Sequence, residues 1–166
     1  MARLIGQRIF KSTLAVKRLA ELVMTNVEKN NLFSHTDLEY PVLMSGQGYM
    51  SIFKNADALT TCSSTAFENS VYQKSNFIDA SGAQFRVSSV EKKGFAKPFF
   101  GFRLMTARQM IVDLSFLKMG DLTFSDVVRE VSNTIKNSNW GADPDFFEGI
   151  VVSSKTTKEF FEALAK

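Results

Sequence analysis

Phe77-Ile78-Asp79-Ala80-Ser81-Gly82-Ala83-Gln84-Phe85-Arg86-Val87-Ser88-Ser89-Val90 is the stretch that decides the fold class. Apolar Phe77 and Ile78 run into Asp-Ala-Ser-Gly, and the chain then alternates Phe85 and Val87 with Arg86 and Ser88. Alternation with period two places successive side chains on opposite faces of a strand. Aspartate and glycine supply the backbone shapes of a tight reversal. The stretch therefore predicts a β-hairpin.

Residues 109–117 repeat the alternation. Met110, Val112, Leu114 and Phe116 share one face, and Ile111, Asp113, Ser115 and Leu117 the other, so the even-numbered set is the expected core face. Residues 99–105 read as a further strand and 49–53 as a short one. Between the short strand and the hairpin, Asn55 or Asp57 offers a side-chain oxygen to cap a helix running to about Asn69, with Leu59, Cys62 and Ala66 on its buried side.

The C-terminal third has helical spacing. Val127, Val131 and Ile135 follow Thr123, with Asp126 near the positive end of the helix dipole. Pro144 suits a first helical position, since its missing N–H is not needed there. Thr156-Thr157-Lys158-Glu159 is a capping-box pattern ahead of Phe160, Phe161 and Leu164. At the other end, Ile5, Ile9, Val16, Leu19 and Val23 line one side of a helix over residues 2–28. Residues 30–47 carry Pro41 and several Asn, Ser and Gly residues, and read as a connector packed over the domain. The expected fold is α+β: an antiparallel sheet of about four to five strands, with an N-terminal helix and C-terminal helices packed on one face. The expected division is 1–46, helix and connector, and 47–166, the α+β core domain.

The 166 residues fit a single domain, and 45% hydrophobic composition with 16 phenylalanines supplies a core. Cys62 is the only cysteine, which excludes an intramolecular disulfide and suits a reducing compartment. The N-terminus shows no apolar segment followed by a small-residue cleavage site. No run reaches the roughly 18 apolar residues of a membrane-spanning helix. A cytoplasmic location without a membrane span is expected. Residues 1–20 hold five basic side chains and no acid, against 15 basic and 17 acidic ones beyond. The basic balance thus belongs to the first helix, and pI alone does not make the fold a nucleic-acid binder. That helix reads as a segment docked on the domain or a second subunit, an element lying on an anionic membrane surface, or an organelle presequence.

The residues that carry chemistry are sparse. His35 is the only histidine and sits among capping residues, and Cys62 falls on an apolar face, so no catalytic pair is expected. One histidine and one cysteine cannot furnish a zinc set, and no phosphate-binding glycine motif occurs. No metal and no cofactor are expected. The most unusual stretch interleaves Lys92, Lys93, Lys97 and Arg103 with Phe95, Phe99, Phe100 and Phe102. Three readings stand: core phenylalanines with solvent-facing lysines, an aromatic protein-binding surface, or a platform for nucleic acid joined by Arg8, Lys11 and Arg18. Asp143, Asp145, Glu148, Glu159 and Glu162 make the C-terminal helices the more acidic region. Together with Phe99 and Trp140 they form the expected partner-binding set. A small enzyme using Cys62 and carboxylates is the remaining alternative.

Leu59-Thr60-Thr61-Cys62-Ser63, Phe77-Ile78-Asp79-Ala80-Ser81-Gly82 and Lys97-Pro98-Phe99-Phe100-Gly101-Phe102 give residues 49–117 a resemblance to small bacterial cytoplasmic domains of the immunity-protein type, from polymorphic-toxin and contact-dependent inhibition systems. The resemblance covers under half of the chain. Its motifs are structural, so it implies no catalytic residues, and residues 1–46 have no counterpart in it. What it implies is a non-catalytic protein that neutralises a toxin domain by occluding its active site.

Overall fold

A computed structural model of the chain describes residues 32–46, 48–96, 109–137 and 144–166. The chain divides into two units, Met1–Leu32 and Phe33–Lys166, and the described elements belong to the second, Leu32 aside. The helix expected over 2–28 and the strand expected over 99–105 lie outside the described residues.

The strands are β1 (Leu32–Ser34), β2 (Val42–Gly46), β3 (Tyr49–Phe53), β4 (Thr61–Ser63), β5 (Asn76–Ile78), β6 (Ala83–Phe95) and β7 (Gln109–Asp121). The helices are α1 (Ala56–Thr60), α2 (Ser64–Glu68), α3 (Phe124–Asn137), α4 (Pro144–Ser153) and α5 (Thr157–Leu164), with a 3-10 turn at Tyr72–Lys74. The sheet runs β1-β7-β6-β5-β2-β3, and β4 also pairs with β7. Its pairings β2–β3, β2–β5, β4–β7, β5–β6 and β6–β7 are antiparallel. The α+β class holds, but among the described residues the sheet has seven strands where about four to five are expected.

The extra strands have local causes. Residues 32–46, read as connector, supply β1 and β2. Val42, Leu43 and Met44 are all buried, so β2 is covered on both faces and its three-residue apolar run shows no alternation. The helix expected up to Asn69 is interrupted by β4. Asn55 caps α1 through a 2.9 Å bond from Ala58 N–H, and α1 ends as Thr61, Cys62 and Ser63 pair with Ile111, Met110 and Gln109. Ser63 Oγ then accepts from Ala66 N–H at 3.1 Å and starts α2. Cys62 is thus on a strand and not on a helix, although it is buried as expected.

The decisive hairpin forms around Asp79. Its Oδ1 accepts from Ser81 N–H (3.0 Å), Ser81 Oγ–H (2.6 Å) and Ala83 N–H (3.0 Å). Its Oδ2 accepts from Glu39 N–H at 3.3 Å. A carboxylate that is only 3% exposed is therefore fully engaged. Gly82 has φ +89°, a conformation that side-chain-bearing residues rarely adopt.

The sheet carries a core on each face. On one, Met44, Phe77, Phe85 and the even-numbered set Met110, Val112, Leu114 and Phe116 pack with Leu59, Cys62 and Tyr72. Phe77 and Phe116 meet edge to face at 5.1 Å between ring centroids. On the other, Leu43, Met50 and Ile78 pack against Val127, Val131, Ile150, Phe160 and Phe161 of the C-terminal helices. Those helices share one face, as expected, while α1 and α2 border the opposite core. Bulges at three points along β6–β7 shift the register of this long hairpin, which a bulge does by bending the strand and raising its twist.

Candidate functional site

His35 and Cys62 are kept apart by the pleat of β7. Cys62 pairs with Met110 and joins the buried core. Burial pushes its thiol pKa up, with the neighbouring Tyr72 hydroxyl pulling the other way, so the thiol is held in its protonated form at neutral pH. The Tyr72 hydroxyl donates to Leu59 O at 2.8 Å, and burial raises its own pKa. His35 instead places Nδ1 3.3 Å from Asp113 Oδ1, without hydrogen-bond geometry. Asp113 leaves β7 on the face opposite Met110.

Asp113 is the centre of a charge cluster. Lys93 Nζ lies 3.1 Å from its Oδ2 and 3.5 Å from Glu91 Oε2. The hydrogen bond from Lys93 holds the Asp113 carboxyl below its ordinary range, and the same bond raises the Lys93 ammonium. Lys93, expected to serve nucleic acid, is thus committed to two carboxylates. Its neighbour Lys92 sits 4.3 Å from the centroid of the Phe95 ring, a cation–π contact. Phe95 is 46% exposed and does not belong to either core. Lys97, Arg103, Phe99, Arg8, Lys11 and Arg18 lie outside the described residues.

The C-terminal helices give a second surface. In α4, Ile150 is buried, and Phe147 and Val151 pack beside it. At 100° per residue, Asp145, Phe146, Glu148, Gly149 and Val152 fall on the other side, and all five are exposed. Phe146 is 59% exposed and Val152 86%. A Cβ added to Gly149 would touch nothing, so the glycine is not required by the chain's own packing. Glu162 is exposed on α5. Glu159 is part of the capping box: its Oε2 accepts from Lys155 N–H at 2.8 Å, while Glu159 N–H donates to Thr156 Oγ1 at 3.2 Å. Trp140 and Asp143 lie outside the described residues.

A third feature was not legible in the sequence. A groove of about 880 Å³ opens between the tip of the β2–β3 hairpin, residues 69–76, Arg86 of β6 and the last two turns of α3. Asn69, Gln73, Asn76, Asn133 and Asn137 all line it. These amides come from the turn after α2, the 3-10 turn, β5 and α3 and form no spaced motif, so only the fold brings them together. The hairpin tip is fixed by Tyr49, whose hydroxyl donates to Val71 O at 3.2 Å and shares a short hydrogen bond with Ser75 Oγ.

Among the described residues no three His, Cys, Asp or Glu side chains gather as a metal-binding group. No described helix is long and apolar enough to cross a membrane. No protein-family model, curated protein or solved structure matches the chain.

Proposed function

We propose that this chain is a non-catalytic protein-binding module that meets its partner through the outward face of α4. One observation carries the reading: Phe146 and Val152 stand exposed on a single helical face, with Asp145 and Glu148 beside them and a bare Gly149 between. Large apolar side chains surrounded by polar ones are the usual anatomy of a contact surface. A glycine in a helix interior is about 1 kcal/mol less favourable than alanine. Gly149 leaves room for a partner's side chain or backbone to approach between the two anchors.

The acidic flank favours a partner with a basic surface around an apolar cleft. In the immunity-type form of this proposal the partner is a toxin domain whose cationic substrate-binding surface is covered, with Phe146 as anchor and the carboxylates speeding encounter. The test is affinity capture from the source cell with wild type, Phe146→Ser/Val152→Ser and the control Lys54→Gln, an exposed residue outside the α4 face. A specific partner retained by wild type and the control, lost by the double variant and inhibited in its own activity by wild type supports the proposal. A partner retained equally by all three, or none retained by wild type, overturns it.

A further inference from the structure

The groove is a separate site from the α4 face, and its lining specifies a ligand chemistry. Five carboxamides, Asn69, Gln73, Asn76, Asn133 and Asn137, surround it together with the guanidinium of Arg86. Among the described residues none of these six side chains donates to or accepts from another protein group, and Arg86 has no ion-pair partner. A carboxamide carries a donor and an acceptor side by side, the same pair a peptide unit presents, and so can pair with a main chain in either sense. A guanidinium pairs with a carboxylate through two parallel hydrogen bonds.

We propose that the groove binds an extended segment of a partner protein that carries a carboxylate, with Arg86 pairing the carboxylate and the ring of carboxamides pairing the main chain. Two features disfavour a nucleic acid there. Arg86 and Lys74 bring two positive charges to the lining and Glu130 one negative, a balance that suits a ligand with one carboxylate better than one charged at every repeat. Tyr49, the one aromatic side chain of the lining among the described residues, has its ring against Gly46 and its hydroxyl engaged, and bases need open stacking faces. A small apolar ligand is disfavoured too, because such ligands favour concave pockets lined mainly by hydrophobic groups.

The test presents the full chain with three immobilised sets of degenerate decapeptides, one holding a single Asp or Glu, one neutral and one holding a single Lys or Arg. A single-stranded oligonucleotide and inorganic phosphate serve as competitors. The acid-bearing set is retained, and Arg86→Gln weakens retention about tenfold or more, as expected for removing a charged hydrogen-bond partner. Asn76→Ala/Asn133→Ala weakens binding of acid-bearing peptides while leaving their preference over neutral ones intact. Phe146→Ser/Val152→Ser changes nothing in this assay, so failure here and failure of the α4 proposal are distinguishable. Thermal melting of each variant within a degree or two of wild type shows that the fold is kept; Arg86 and Asn133 are exposed and Asn76 is half-buried. Retention indifferent to Arg86→Gln, no preference among the three sets, or full displacement by the oligonucleotide would sink the proposal.

Discussion

The ring of Tyr49 lies across Gly46, its antiparallel partner in the β2–β3 hairpin, so closely that a Cβ on residue 46 would occupy the space of the ring. A bare glycine paired with an aromatic is a known way of covering an otherwise unpacked strand position. Here it also aims the Tyr49 hydroxyl at Val71 O and Ser75 Oγ, tying the hairpin tip to the segment before β5.

Gly46→Ala should therefore displace the ring and break both hydrogen bonds. Overpacking of this kind destabilises by about 1–3 kcal/mol. Tyr49→Phe keeps the ring and removes only the hydroxyl, so about 1 kcal/mol is expected. Urea denaturation of the two variants ranks them, and the ranking reverses if the ring is free to swing aside.

Phe116 and Phe146 separate fold from surface. Phe116 is fully buried and meets both Phe77 and Phe85 edge to face. Phe116→Ala should cost about 3–5 kcal/mol. Phe146→Ala, at an exposed position, should stay within about 0.5 kcal/mol of wild type. Chemical denaturation of the pair measures the contrast, and similar losses from the two would contradict this placement of the core.

Much of this contrast was legible beforehand, and the exceptions are instructive. The even-numbered set of β7, the Asp79–Gly82 reversal and the Thr156 cap each announce themselves within a few residues, because period, turn chemistry and capping are local properties. β2 does not, since a short strand buried on both faces has no alternation to read. Thr61–Ser63 looks helical in isolation and becomes a strand only because the edge of β7 is there to pair with. The amide groove is the extreme case: Asn76, Arg86 and Asn133 become neighbours solely through strand order and helix placement.

Tyr40 gives a pH-dependent prediction. Burial, aided by the negative charge of Asp57, pushes its phenol up to about 12 from the ordinary 10.0. The hydroxyl donates to His35 O at 2.9 Å, which only the protonated form can do. A folded-state pKa above the unfolded one means the folded chain holds this proton more tightly. The associated stability is fully present below pH 10.0 and is lost as pH rises towards about 12. Phenolate absorbance near 295 nm should show late ionisations of the two buried phenols, Tyr40 and Tyr72, of which Tyr40→Phe removes one. The urea midpoint of wild type should fall more steeply than that of the variant across the same interval. Ionisation of Tyr40 at its ordinary value would refute the burial argument.

Gly149 offers the sharpest separation of stability from binding. Its Cβ position is open space in the middle of α4, so Gly149→Ala has no clash to overcome and gains the helix propensity that glycine lacks. The variant should be more stable by about 0.5–1 kcal/mol. If the exposed strip between Phe146 and Val152 serves only as solvated surface, nothing else should change. If a partner closes on that strip, the added methyl should weaken binding even as the fold is strengthened, and Gly149→Trp should abolish it at unchanged or modestly altered stability. Thermal unfolding and titration calorimetry on the same two proteins read both quantities. Undiminished affinity of Gly149→Trp for the captured partner would place the interface elsewhere on the molecule.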